Sequence, residues 1–197
     1  MPAEARRRQL LLAAVEVFAR SGYHGATTRA IAHQAGVAEA LLYRYFDSKQ
    51  ALFQAAVVDT STRLIAGLQA IMERHPDDPH AALSELMHFG RQALLRSERL
   101  AKMVFIVSAE LDDPAVRDVY LPLQQQALHI VEDALARWQR QGLIHNALPP
   151  QAAAWLVLGA FQALALMKHS GALRTIQAQQ AIDLLRSLLP PSPRASA

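Results

Sequence analysis

Apolar residues recur at helical spacing almost from the start of this chain. Leu11, Ala14, Val15 and Phe18 fall at i, i+3, i+4 and i+7 within residues 4–20, which predicts an amphipathic helix. Gly22 follows, at the left-handed position that ends such a helix. Thr27 or Thr28 can cap a second helix reaching Ala35, because a hydroxyl accepts from a free first-turn N–H. Gly36 turns the chain, a third short helix carries Glu39 to Tyr45, and Asp47 or Ser48 opens a fourth. Helical patterning then continues, broken at 74–80, at 95–100, at "ELDDPAV" with Pro114 near the first helical position, and at 141–151. Pro122 lacks an N–H and crowds the preceding turn, so a kink or split is expected near 120–122. A last helix is expected from about Thr175 to Leu189, followed by a disordered tail, "PPSPRASA". No alternating strand pattern and no internal repeat stands out. The expected fold is all-α, with about nine helices.

Composition narrows the class. With 197 residues, 52% apolar and 19% charged, the chain can bury a sizeable core and is not disordered in the main. It has no cysteine, which removes disulfides, thiolate metal sites and a cysteine nucleophile, and suits a reducing compartment. Arginines before Leu10–Val15 imitate a signal peptide, but Glu16 interrupts that apolar run too early. Ala152 to Met167 contains Gln162 and falls short of the about 20 residues a membrane span needs. Both segments are therefore read as helices of a soluble, cytoplasmic protein with no membrane partner. Net charge is +3, and its placement is informative. The first fifty residues hold seven basic and four acidic side chains, while the rest hold thirteen of each. The whole excess sits where it can meet a polyanion.

Within that basic quarter the second and third helices fit a helix-turn-helix. Ala32 allows close approach of the two helices, Gly36 tolerates a positive φ in the turn, and Leu42 points inward from the second helix. Ile31, Val37 and Phe46 complete the apolar side. Arg29, Glu39, Ala40, Leu41, Arg44 and one or both of Tyr43 and Tyr45 are left facing out. The pattern A-x3-G-x5-L recurs by chance in many helical proteins. Its basic setting, the amphipathic helix before it and Lys49 at the next helix start favour a major-groove reader.

Residues 7–52 resemble the DNA-binding domain of TetR-type transcriptional regulators, through "ATTRAIAHQAGV", "LLYRYFDSK" and "QALF". The resemblance implies that Tyr43, Tyr45 and Lys49 clamp phosphates, that Thr28 and Arg29 reach phosphates from the second helix, and that Phe46 is core. The chain departs from the family's habit at Ala38, where Ser or Thr is usual. Ala40 stands where Gly is common, and Leu41 where a small or polar residue is common. Glu39 is acidic on a face that meets DNA; it can accept from a cytosine amine but repels phosphate.

The larger, charge-neutral remainder carries no G-x-S-x-G, no phosphate-cradling glycine loop and no H-E-x-x-H, so no catalytic residue, metal ligand or cofactor is assigned. Glu110, Asp112 and Asp113 imitate paired acids, but Asp113-Pro114 reads as a helix cap and first residue. Ala152–Met167 is apolar on every face, so both sides need cover. Its small residues, Ala152, Gly159, Ala160 and Ala163, together with Ile182 and Leu185 of the last helix, suit a four-helix contact with a second copy, which is also how the resembled family dimerises. The resemblance further implies an effector pocket in the middle helices. Met87, Met103, Phe105, Trp138, Trp155 and Phe161 are the candidate lining for a mainly apolar small molecule, with Gln125, His129 and Gln162 to orient it. The domains expected are 1–50 for DNA binding, 51–189 for ligand binding and dimerisation, and 190–197 as tail. The expected activity is a repressor that binds a palindromic double-stranded DNA operator as a homodimer and is released by its effector. The rivals are an architectural DNA-binding protein without a ligand, and a small helical enzyme or lipid carrier.

Overall fold

The computed structural model describes residues 2–96, 98–144 and 148–170. The last expected helix, with Ile182 and Leu185, and the tail at 190–197 lie outside these residues. Eight helices and no strand are found among the described residues: α1 (Ala3–Gly25), α2 (Thr28–Gln34), α3 (Glu39–Tyr43), α4 (Lys49–Arg74), α5 (Pro79–Arg96), α6 (Glu98–Ala109), α7 (Pro114–Arg140) and α8 (Pro150–His169). The fold is all-α, as the periodicity implied.

The helix ends carry the chemistry that the sequence signals. Thr27 Oγ1 accepts from the Ala30 N–H at 3.1 Å, and Ser48 Oγ from the Ala51 N–H at 3.0 Å. Asp78 and Asp113 do the same at the starts of α5 and α7, at 2.9 and 2.8 Å. Each cap satisfies an amide that has no partner within its helix. Asp113 also accepts from Gln50 Nε2 at 2.8 Å, so its carboxylate has a structural use. Ala38 at the start of α3 makes no side-chain cap bond.

Two boundaries differ from expectation. Gly22 is left-handed (φ 71), yet α1 resumes past this kink to Gly25. The extra turn is held because the Tyr23 ring packs on Phe18 and Phe53, with centroids 6.1 and 4.8 Å away. Helix α3 stops at Tyr43, two residues early. Arg44 and Tyr45 donate to Leu41 and Leu42 three residues back, a tightened turn that swings Phe46 into the core.

By internal packing the chain forms two units. The first comprises Met1–Arg63 and Glu98–Leu123. Its core runs from Leu10, Val17 and Phe18 of α1 through Ile31, Ala32 and Leu42 to Leu52 and Phe53 of α4. Met103 and Val107 of α6 and Val116 of α7 complete it, so the three-helix head is closed by elements from much later in the chain. The second unit, the described part of Leu64–Ser97 and Gln124–Ala197, packs Leu68, Ile71 and Met72 against Leu83, Leu86 and Met87. Val131, Leu135 and Trp138 of α7 and Ala153 and Ala154 of α8 finish this second core. Trp138 Nε1 donates to the Pro76 carbonyl at 2.8 Å, which satisfies the polar edge of a buried ring. At the end of α4, His75 and Arg74 bond the Glu85 carboxylate and hold its pKa below the usual glutamate range.

Helix α7 passes through Pro122 without splitting. Proline removes the amide that would bond the Asp118 carbonyl four residues back. Both residues are exposed, so water can serve that carbonyl and the helix continues. In α8 the apolar stretch is longer than the sixteen residues counted from sequence. Pro150–Met167 has mean hydropathy 1.4 and is long and apolar enough to cross a membrane, by length and composition. One side of this helix, Ala153, Ala154 and Ala165, is packed within the second unit.

Candidate nucleic-acid interface

Gly36 sets the angle between α2 and α3. At φ 66 it lets its own N–H reach the His33 carbonyl and the Val37 N–H reach Ala32, both at 3.0 Å, which closes α2 and reverses the chain. Ile31, Ala32 and Leu42 then face inward with at most 2% exposure. The opposite faces present Arg29, Ala40, Tyr43 and Arg44, all exposed, with Leu41 half-buried beside them. Gln9 Nε2 donates to the Ala35 carbonyl at 2.8 Å, and the Arg7 guanidinium lies 5.2 Å from the centre of the Phe46 ring. Both contacts tie α1 to the reading head, and neither was signalled by a sequence pattern.

Three of the nine residues assigned to DNA are joined to one another. Thr28 Oγ1 donates to Glu39 Oε1 at 2.6 Å and lies 3.1 Å from the Tyr43 hydroxyl. Lys49 is also engaged. Its Nζ donates to the Tyr23 and Ala26 carbonyls at 3.0 and 3.1 Å and sits 4.6 Å from the centre of the Tyr23 ring. Two of its three N–H donors therefore close the end of α1. Tyr45 is half-buried and packs on the first core. Arg29, Ala40 and Arg44 are the members of the set turned freely outward.

The nine pocket candidates are scattered. Met103 belongs to the first unit's core, and Met87 and Trp138 belong to the second's. Phe105 is half-buried on α6. Gln125, His129 and Gln162 are exposed, and Trp155 is 52% exposed. Phe161 packs on the second core, and what it meets there had no place in the sequence reading. A Cβ built on Gly90 would lie 1.9 Å from Phe161 Cε1, and one on Gly67 would lie 2.4 Å from Phe89 Cζ. Each glycine is a notch in a helix that seats a phenylalanine ring. A glycine inside a helical pattern, which costs about 1 kcal/mol against alanine, was the available signal. We expect Gly90→Ala to lower stability by about 1–3 kcal/mol in urea unfolding. In a Phe161→Ala background the sign should reverse, because helix propensity alone then acts. Destabilisation in both backgrounds would mean the ring is not what the notch serves.

On α8 the outward face carries Trp155, Leu156 and Leu166, each more than half exposed, with Gly159 and Ala163 between them. Among the described residues nothing lies within 4 Å of a Cβ built on Gly159. Of the other small residues assigned to a subunit contact, Ala152 and Ala160 are half-buried at the edge of this face.

Comparison with known proteins places the first unit's head in a family. Residues 10–56 match the domain described as bacterial regulatory proteins, tetR family. The HTH-type transcriptional activator FasR of Mycolicibacterium smegmatis is 38% identical over 78 residues, 40% of this chain and 36% of that protein. The chain thus spans little more than a third of that relative's length. The fatty acid metabolism regulator protein of Bacillus subtilis is 26% identical over 152 residues, 77% of each chain. The crystal structure of FadR from Bacillus subtilis in complex with stearoyl-CoA shares the fold, with a TM-score of 0.73, 23% identity, and coverage of 93% of this chain and 99% of that one.

Proposed function

Since residues 10–56 match the tetR family of bacterial regulatory proteins, we propose that the chain is a ligand-responsive repressor that binds a palindromic operator as a homodimer. The observation that carries this reading is the outward face of α2 and α3. Arg29, Ala40 and Arg44 stand exposed over a packed head, with their side chains free to meet phosphates and base edges. Incubating the purified protein with random DNA fragments and sequencing those it retains tests it. A recurring two-fold sequence is expected, with half-sites about 34 Å apart. Retention of no DNA, or of all DNA alike, sinks the reading.

The exposed arginines and Lys49 should separate in the same assay. Arg29→Ala should weaken every duplex and reduce the salt slope by about one unit, the signature of one lost phosphate contact. Lys49→Ala should instead lower the thermal midpoint, because two carbonyls at the end of α1 lose their donor. A Lys49 variant with unchanged melting and a reduced slope would return it to the phosphate set.

We infer that the effector is a mainly apolar small molecule and that an acyl chain is the class to try first. Met87 and Trp138 in the second unit's core, with Phe89 and Phe161 packed against it, give that unit the apolar, adaptable side chains such a guest would need. The relative concerned with fatty acid metabolism and the fold neighbour that holds stearoyl-CoA agree with it. Titrating retained operator complexes with fatty acids and their thioesters is the test. Compounds that bind by calorimetry yet leave operator affinity unchanged would exclude a switch of this kind.

A further inference from the structure

The direction of two hydrogen bonds on the reading head determines what the hydroxyls of Thr28 and Tyr43 can offer to DNA. A carboxylate only accepts, so the single hydrogen of Thr28 Oγ1 goes to Glu39 Oε1, 2.6 Å away. Thr28 Oγ1 has no second hydrogen. At 3.1 Å from the Tyr43 hydroxyl it must be the acceptor there, and the phenolic hydrogen of Tyr43 points at it. The chain runs one way, from Tyr43 to Thr28 to Glu39. Both hydroxyl hydrogens are committed within this run of three side chains, which leaves the two oxygens only lone pairs for any other partner. A phosphodiester oxygen also only accepts. With the chain intact, neither hydroxyl has a donor for a backbone phosphate.

We propose, on the footing of the DNA-binding reading above, that Glu39 is a positioning residue that sets specificity by withholding the Thr28 and Tyr43 hydrogens from phosphates. Phosphate contacts add affinity for every sequence alike, whereas base-edge contacts add it for one. Suppressing two backbone donors lowers binding to random DNA, and the contacts that remain are weighted toward base reading. The Glu39 charge opposes phosphates in the same sense. Its effect on the hydroxyls is separable, because a glutamine keeps an acceptor oxygen in place without the charge.

The experiment compares Glu39→Gln with Glu39→Ala on a random duplex and on the duplex selected by the protein, at one salt concentration, with melting followed alongside. Glutamine removes the charge and leaves the Thr28 acceptor. Alanine removes both and frees a donor hydrogen. Alanine should therefore bind the random duplex about tenfold more tightly than glutamine, the scale of one charge-assisted hydrogen bond. The ratio of selected to random affinity should fall correspondingly. Thr28→Val is the second probe, since it cuts the chain without touching Glu39. It should tighten the random duplex, because the Tyr43 hydrogen is released, whereas a hydroxyl that already clamps phosphate would weaken it on removal. Equal affinities for the glutamine and alanine variants, or weakening by Thr28→Val, would overturn the role of Glu39. A wild-type protein that retains no DNA would overturn the DNA-binding reading with it, and the two failures are told apart by that control.

Discussion

Gly159→Leu is expected to leave a folded chain that no longer pairs. Among the described residues nothing lies within 4 Å of a Cβ at Gly159, so the first added carbon meets no neighbour there. Removing a mid-helix glycine should even steady α8 by about 0.5–1 kcal/mol. In the proposed dimer the same position lies between Trp155, Leu156, Ala163 and Leu166 on the face that a second copy would cover. Four added carbons per subunit overpack that contact by about 1–3 kcal/mol at each of two symmetric sites. Even the low end, about 2 kcal/mol in total, makes the dimer roughly thirtyfold weaker. Sedimentation at micromolar concentration should show monomers with unchanged helicity, and operator affinity should collapse because the two half-sites are no longer read together. A variant that sediments as a dimer with full affinity would put the subunit contact elsewhere on the chain. Ala163→Leu gives an independent reading of the same face.

The largest loss of stability should come from Phe53→Ala. Phe53 is fully buried, meets Phe18 edge-on at 5.0 Å and lies 4.8 Å from the Tyr23 ring. Deleting a ring from such a site costs about 3–5 kcal/mol in transfer and cavity terms together. Against a typical total of about 5–15 kcal/mol, that is a large share. For a chain of this size the thermal midpoint should fall by about 10 °C. The loss should also reach DNA binding, since the ring lies under the turn that Lys49 fastens. Leu12→Ala on α1 is the control. Leu12 is 50% exposed, so its removal should change stability by less than about 0.5 kcal/mol. A Phe53 variant that melts with the Leu12 control would contradict the packing described here.

What could be read from the sequence, and what could not, follows one physical line. Local signals were legible: Thr27 (offered with Thr28), Ser48 (offered with Asp47) and Asp113 cap helices because a short polar side chain reaches only its own first turn. Ala32, Gly36 and Leu42 were legible for the same reason, as close approach, turn and core are set within a dozen residues. Long-range partners were not. Nothing near Lys49 announces that its ammonium will meet the carbonyls of Tyr23 and Ala26, and nothing near Gly90 announces Phe161. Residue type separated apolar from polar positions without saying which core each would join. Met103 and Met87 therefore read alike although they belong to different units. The assignment of Trp155 to a lining and of Gly159 to a subunit contact came from side-chain size, yet the two share one outward face.

The unbroken passage of α7 through Pro122 has a consequence in time. A helix of twenty-seven residues normally guards its central amides most strongly, because opening there must break bonds on both sides. In α7 the bond from residue 122 to the Asp118 carbonyl was never made, and the neighbouring Leu121 is 40% exposed. Opening can start from this gap as readily as from the ends. In heavy water the amides flanking Pro122 should take up deuterium well before those of Val131, Ala134 and Leu135, which sit in the second core. The slowest and fastest clocks of this helix would then lie within about four turns of each other.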